Sequence, residues 1–312
     1  MSQNIDLSVI IPITERHDNI QELYYEYKKA VEQTSLTYEF VYVMDGPFPD
    51  LNEELTALKD KGEKLKVIML AKWFGEATAL KIGFENTSGE LIMTLPAYQQ
   101  VDSSELPRLV HSIEGQDMVV ARRWPRKDSA LNRLQSNVFN FLMRLQTGVE
   151  LHDLGCSVRV FRRRVIREVE IYGDLHRFLP VLANRYGFKV LEVKTSQSQK
   201  DMFQRIYSSG LYVRRLLDLL SVMFLIKFTK KPLRFFGLVG MGTIFVGAVA
   251  TAYLIMERLV FDMSLADRPA LMISSLFIVL GAQILSIGLI GEIIIFSHSK
   301  QLKEYTIDRI IN

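Results

Sequence analysis

A chain of 312 residues can bury a sizeable core in one large domain or two modest ones, and 48% of its residues are hydrophobic. The single cysteine, Cys156, excludes an internal disulfide framework and a cysteine zinc site. A net charge of +3 selects no class of partner by itself, and the five histidines (His17, His111, His152, His176, His298) lack metal-ligand spacing.

The opening residues lead straight into an apolar run, without the basic and then apolar order of a signal peptide, so the first part of the chain is expected to stay in the cytoplasm. Leu7–Ile13 (LSVIIPI) is β-branched and apolar, the pattern of a buried strand. Residues 18–34 have helical spacing with Asp18 as the expected N-cap. Residues 38–43 form a second strand, closed by the turn signal Met44-Asp45-Gly46-Pro47. A helix over 50–61, a strand over 65–70, a helix over 75–86, a strand over 90–95, a helix over 104–114 and a strand over 117–121 follow. This alternation implies right-handed βαβ units on a mostly parallel sheet, an α/β fold. Ligands of such sheets bind beyond the strand carboxyl ends, here residues 12–16, 44–47, 71–75, 95–102 and 122–127.

No Gly-x-Gly-x-x-Gly, Walker loop or Gly-x-Ser-x-Gly elbow stands at these ends, which excludes dinucleotide, P-loop and serine-hydrolase chemistry of those types. A basic cluster does: Arg122, Arg123, Arg126, Lys127 and, further on, Arg133. Guanidinium forks at a strand end suit a phosphate, with a solvated loop as the plainer alternative. No basic stripe interleaved with aromatics occurs, so nucleic acid is not an expected partner.

Residues 205–228 mix apolar side chains with Arg214, Arg215 and Asp218 at helical spacing, as an interfacial helix does. Two uncharged runs, 235–256 and 270–291, are each about 22 residues, enough to cross a ~30 Å hydrocarbon core. Lys227, Lys230, Lys231 and Arg234 precede the first run, and Lys300, Lys303 and Arg309 follow the second. The positive-inside bias then places both termini in the cytoplasm and makes the pair a multi-pass hairpin in a lipid bilayer. Glycines in the runs permit close helix packing and leave homo-oligomer formation open. The runs carry no intramembrane charge pair, which argues against a transporter.

Several stretches together resemble family 2 glycosyltransferases. Ser8-Val-Ile-Ile-Pro-Ile-Thr-Glu15 resembles their opening Ser-Val-Val-Ile-Pro-x-x-x-Glu, and Phe40-Val-Tyr-Val-Met-Asp-Gly46 resembles the strand that ends in Asp-Asp-Gly-Ser. Phe74-Gly75 and Leu106-Pro-Arg-Leu-Val110 resemble the family's helix start and the helix after its metal motif, and Asp153-Leu-Gly-Cys-Ser-Val-Arg159, Phe178-Leu-Pro180 and Lys231-Pro-Leu-Arg-Phe-Phe-Gly237 are similar to the polyprenyl-phosphate branch. The resemblance implies a GT-A fold in a cytoplasmic domain over 1–200, interfacial helices over 201–233, a transmembrane hairpin over 234–292 and a tail over 293–312. It also implies transfer of a sugar from a nucleotide-sugar to a polyprenyl phosphate, in a bacterial inner membrane. By the same resemblance Gln100 and Asp153 are catalytic, and Pro12, Glu15, Asp45, Tyr98, Lys200 and Arg205 bind the donor. Arg122, Arg123, Arg133, Ser136 and Tyr207 hold the acceptor phosphate, with Asn132 an alternative to Arg133.

The departures from the family pattern fall on the donor side. Its metal motif Asp-x-Asp-x-Gln reads Pro96, Tyr98 and Gln100 here, and its Asp-Asp-Gly-Ser reads Met44-Asp45-Gly46-Pro47. A proline and a phenol supply no anionic oxygens, so no cofactor is expected and Mg²⁺ or Mn²⁺ binding should be weak or absent. Two readings follow: an enzyme whose cations replace the metal, or an inactive homologue that binds lipid phosphate or a partner subunit.

Overall fold

The structure, a computed structural model, describes residues 5–14, 16–125, 151–169, 173–203, 232–261 and 269–298. The chain divides into an α/β unit and a helical unit that spans residues 223–303.

Strand β1 (Leu7–Ile13) is buried along its whole length, as an apolar run covered on both faces must be. It runs parallel to β2 (Tyr38–Met44) on one side and β4 (Leu91–Thr94) on the other, with β3 (Leu65–Met69) beyond β2. On the far side β6 (Arg159–Arg162) lies antiparallel to both β4 and β5 (Met118–Arg123), and β7 (Val190–Thr195) pairs parallel to β5. The seven-stranded order is β3-β2-β1-β4-β6-β5-β7. Alternation along β1 sends Val9, Ile11 and Ile13 to one layer, with α1 (Ile20–Glu32), and Ile10 to the other, with α3 (Glu76–Glu85). Tyr24 of α1 meets Phe40 edge-on at 5.2 Å, and Phe84 of α3 meets Phe161 at 5.9 Å. Helices α2 (Pro49–Asp60), α4 (Leu106–His111), α5 (Arg163–Glu168) and α6 (Leu179–Arg185) complete the unit.

The α/β expectation holds for a mostly parallel sheet, with three local corrections. Asn19, not Asp18, caps α1: its side chain accepts the Glu22 N–H at 2.9 Å. The helix expected over 104–114 is a 3-10 turn, Ser103–Glu105, followed by the short α4, whose Pro107 sits in the first turn where no N–H is needed. The last expected strand continues past Ala121 to Arg123 because its end still pairs with Lys194 and Thr195 of β7.

In the helical unit, α7 (Pro232–Phe261) and α8 (Pro269–His298) are each 30 residues, about 45 Å at the α-helical rise, and apolar enough to cross a membrane. Glycines let their backbones touch. A Cβ on Gly240 would lie 2.7 Å from the Gly281 carbonyl oxygen, and one on Gly247 would lie 2.7 Å from that of Ser274. Farther back, Gly288 faces Phe236 and Gly291 faces Pro232, so the partner number falls as the helix advances and the two helices are antiparallel. Large side chains such as Leu238, Phe245, Leu259 and Met272 point outward. The interfacial segment expected over 205–228 and the basic flanks expected beyond residue 298 lie outside the described residues.

Candidate functional site at the carboxyl edge of the sheet

The carboxyl ends of β1, β4 and β7 converge on the loop that follows β4. Tyr27, inside α1, places its hydroxyl 3.2 Å from the Pro96 carbonyl and 3.3 Å from that of Tyr98. Burial pushes that phenol well above its usual pKa, so it stays a neutral hydrogen-bonding group. The Asp18 N–H donates to the Ala97 carbonyl at 2.8 Å, and the Asp18 carboxylate accepts the Gln99 N–H at 2.9 Å. Gln100 is buried; its amide donates to the Tyr98 hydroxyl at 2.6 Å and accepts the Ser157 N–H at 2.8 Å. Below it, Val101 bridges Gln197 in the segment after β7. A loop that looks featureless in sequence is thus fixed from three directions.

Two arginines share one carboxylate beneath this loop. Arg123, at the end of β5, is fully buried and donates from Nε and Nη2 to the two oxygens of Asp153 at 2.8 and 2.9 Å. Its Nη1 donates to Asp201 Oδ2 at 3.1 Å, which also accepts from Gln197 Nε2 at 2.8 Å. Burial works against the cation, but Asp153 and Asp201 outweigh it and hold the guanidinium pKa well above its ordinary value. The other oxygen of Asp201 faces Arg16 Nη1 at 3.5 Å, an ion pair longer than a good hydrogen bond. Arg16 leaves β1 for α1, and its Cζ sits 3.8 Å above the centre of the Tyr98 ring. Its buried Nε has no hydrogen-bond acceptor, while 24% of the side chain stays exposed.

The remaining expected residues fall around this cluster. Asp45 is buried at the end of β2 and accepts the Phe74 and Gly75 N–H groups at 2.7 and 2.8 Å, which ties down the loop before α3. Gly46, at φ +113°, lets the Trp73 indole lie where a Cβ would be 2.8 Å away. Pro12 is buried beside a small cavity shared with Glu76, Arg159 and His176. Lys200 donates to Glu22 at 2.8 Å and Glu26 at 3.3 Å, and these acceptors raise its pKa. Arg122 pairs with Glu192 at 3.6 Å and lies 5.1 Å from the Trp124 ring centre. Glu15, Arg133, Ser136, Arg205 and Tyr207 lie outside the described residues.

Three expectations change. Arg123 was expected on the acceptor phosphate, but its side chain has no exposed surface and its nitrogens serve two buried carboxylates. Gln100 and Asp153 were expected to be catalytic; both are buried and engaged with protein groups, Gln100 with the Tyr98 hydroxyl and Asp153 with Arg123. Arg16 and Asp201 were missed. A signal existed for Arg16: the pattern Pro-x-x-x-Glu places its acid four residues after the proline, and four after Pro12 is Arg16, not Glu15. None existed for Asp201, which joins the site only because β7 pairs with β5.

The donor chemistry here does not fit a divalent cation. Pro96 and Ala97 offer no side-chain oxygen, the Tyr98 phenol is hydrogen-bonded to Gln100, and Asp102 caps the 3-10 turn by accepting the Ser104 N–H at 3.0 Å. Among the described residues no group of three or more His, Cys, Asp or Glu could hold a metal ion. A guanidinium stands over the loop instead.

A largely parallel sheet with one reversed strand and a site at its carboxyl edge is a GT-A-like glycosyltransferase architecture. Glucosyl-3-phosphoglycerate synthase from Mycobacterium tuberculosis in complex with UDP shares the fold at TM-score 0.56 and 14% identity, over 71% of this chain and 80% of that one. The same enzyme with Mn²⁺, UDP and glucosyl-3-phosphoglycerate matches at TM-score 0.53 and 14% identity, over 70% and 80%. The chain belongs to glycosyl transferase family 2, whose profile matches residues 8–170. It is 32% identical to undecaprenyl-phosphate 4-deoxy-4-formamido-L-arabinose transferase of Shewanella sediminis (strain HAW-EB3), over 99% of this chain and 94% of the relative. The protein of that name from Pseudomonas aeruginosa (strain LESB58) is 30% identical, over 98% and 91%. The likeness therefore runs through both units, the apolar helices included.

Proposed function

We propose that this membrane-associated glycosyltransferase moves a sugar from a nucleotide-sugar to a polyprenyl phosphate, undecaprenyl phosphate in a bacterial inner membrane, at the cytoplasmic face. The observation that carries the reading is the match to undecaprenyl-phosphate sugar transferases over 99% of the chain, α7 and α8 included. In this reading the two helices cross the bilayer as a hairpin with both termini in the cytoplasm, as the basic residues around Lys231 and Lys300 favour. An acceptor phosphate oxygen attacks the anomeric carbon of the donor. The bond from that carbon to the donor diphosphate breaks, and the nucleoside diphosphate leaves with the electron pair. The acceptor is already anionic near neutral pH, so the site needs little general-base assistance. It must align two anions and stabilise the leaving charge. The donor would lie across the ends of β1, β2 and β4; Arg122, with Arg133, Ser136 and Tyr207, would serve the acceptor side.

A second reading, an inactive homologue that binds lipid phosphate or a partner, is favoured by the loss of both carboxylates from the loop after β4. One experiment separates the two. Detergent-solubilised protein is incubated with undecaprenyl phosphate and a panel of radiolabelled nucleotide-sugars, with Mn²⁺ and with EDTA, and label in the lipid fraction is counted. Transfer from any donor supports the enzyme. No transfer from the whole panel under either condition sinks it in favour of the inactive homologue.

A further inference from the structure

We infer that Arg16, stacked on Tyr98, is the cation that neutralises the donor diphosphate in this protein, in the role for which the family resemblance implies a metal. The inference rests on the donor reading above and names the group that makes it chemically workable.

Among the described residues, the neighbouring cations have other engagements. Arg123 is enclosed by Asp153 and Asp201 and Lys200 is held by Glu22 and Glu26, while Arg122, 3.6 Å from Glu192, is the cation assigned above to the acceptor side. Arg16 combines three features. Its ion pair with Asp201 is long, at 3.5 Å, and that carboxylate is shared with Arg123 and Gln197. Its Nε is buried without an acceptor, an arrangement that native interiors seldom keep unless a ligand or water completes it. Its side chain remains partly exposed, at the carboxyl edge where ligands of this sheet type bind.

Tyr98 explains how the cation is presented. The ring lies under the guanidinium at 3.8 Å, and Gln100 fixes the ring by donating to its hydroxyl at 2.6 Å. Gln100 is anchored by Ser157, and the Tyr98 carbonyl lies 3.3 Å from the Tyr27 hydroxyl. A planar cation on a fixed aromatic face keeps its in-plane N–H donors directed outward, the fork geometry that matches phosphate oxygens. A carboxylate at position 98, beneath the guanidinium, would instead compete with phosphate for it. The two changes, loss of the loop acids and gain of a guanidinium above them, are therefore parts of one substitution of a protein cation for a metal.

The test is calorimetry on the full-length protein in detergent, titrating pyrophosphate, UDP and GDP in EDTA, for wild type, R16A, R16K and Y98A. Wild type should bind pyrophosphate and one of the nucleotides without metal. R16A should weaken both by about tenfold or more, the scale of lost charge-assisted hydrogen bonds. R16K should recover part of the affinity, because it restores charge without the fork, and Y98A should fall between wild type and R16A. Thermal unfolding of R16A near wild type would show that the loss is not misfolding. Binding that vanishes in EDTA and returns with Mn²⁺, or R16A binding like wild type, overturns the assignment even if sugar transfer is found. Arg16-dependent pyrophosphate binding without sugar transfer keeps the anion site and discards the transferase reading. No binding of any probe by wild type overturns both.

Discussion

Arg123 and Arg16 share the carboxylate of Asp201, yet their surroundings give them opposite work. Arg123 ends a central strand, has no exposed surface and donates from three nitrogens to buried carboxylates. Arg16 sits in a loop, keeps part of its surface in water and lies 3.5 Å from its oxygen of Asp201. A buried guanidinium with every nitrogen engaged locks a fold, whereas one with a long ion pair and an unused Nε has donors left for a ligand. Residue type alone does not separate scaffold from site. The count of engaged donors does.

The largest effect is expected at the locked end. Arg123→Ala removes the guanidinium that neutralises buried Asp153 and Asp201, and removing one member of such a buried pair costs about 3–5 kcal/mol. Thermal unfolding of the detergent-solubilised variant should show a large fall in Tm or failure to accumulate. A stable Arg123→Ala protein that selectively lost acceptor use would break the comparison and return Arg123 to the acceptor phosphate.

Gln100→Ala should come next, at about 1–3 kcal/mol, because it strands the Ser157 N–H and removes the amide donor to the Tyr98 hydroxyl. The same unfolding measurement reads it, and weakened pyrophosphate affinity should accompany it through the unfixed Tyr98 ring. Arg16→Ala should be the mildest of the three for stability, within about 1 kcal/mol, the range of partly exposed ion pairs. A fall in Tm comparable with that of Arg123→Ala would erase the distinction between the two arginines.

Cys156 reports on the locked end without mutation. Burial pushes its thiol up to about 11, with nearby Arg123 working in the opposite direction. Folding thus favours the neutral thiol. The stability it contributes is complete below the ordinary cysteine pKa of about 8.5 and is lost as pH rises toward the folded value. Stability should decline between pH 9 and 11, a decline that Cys156→Ser removes, as chemical denaturation at each pH would read. At pH 8 the buried thiol should react slowly with a thiol reagent, and faster in Arg123→Ala, where easier opening of the fold exposes it despite the loss of the nearby cation.

Much of the α/β unit was legible because its elements are set by local patterns. The β-branched run of β1 and the i, i+4, i+8 spacing of Leu23, Tyr27 and Val31 describe buried faces before any partner is known. The 30-residue helices α7 and α8 were legible for the same reason, since a long uncharged run has few other uses. The four-residue β6 was not, because so short a segment carries no period and its antiparallel direction is chosen by β4 and β5 on either side. The cap of α1 was misplaced by one residue because Asp18 and Asn19 are both good caps, and only the loop after β4, whose Gln99 N–H takes the aspartate, decides between them.

By itself the sequence determined the family, the sheet, the apolar helix pair and the loss of acidic ligands after β4, because each is written in residue types at local or repeating spacing. Only the tertiary structure decided what stands in their place. Arg16, Tyr98, Arg123, Asp153 and Asp201 come from five separate stretches, and their roles depend on distances and burial that pairing of β5 with β7 and packing of α1 on the β4 loop create. Charge in a protein acts through its nearest partners and its access to water, and neither is a property of one segment of chain.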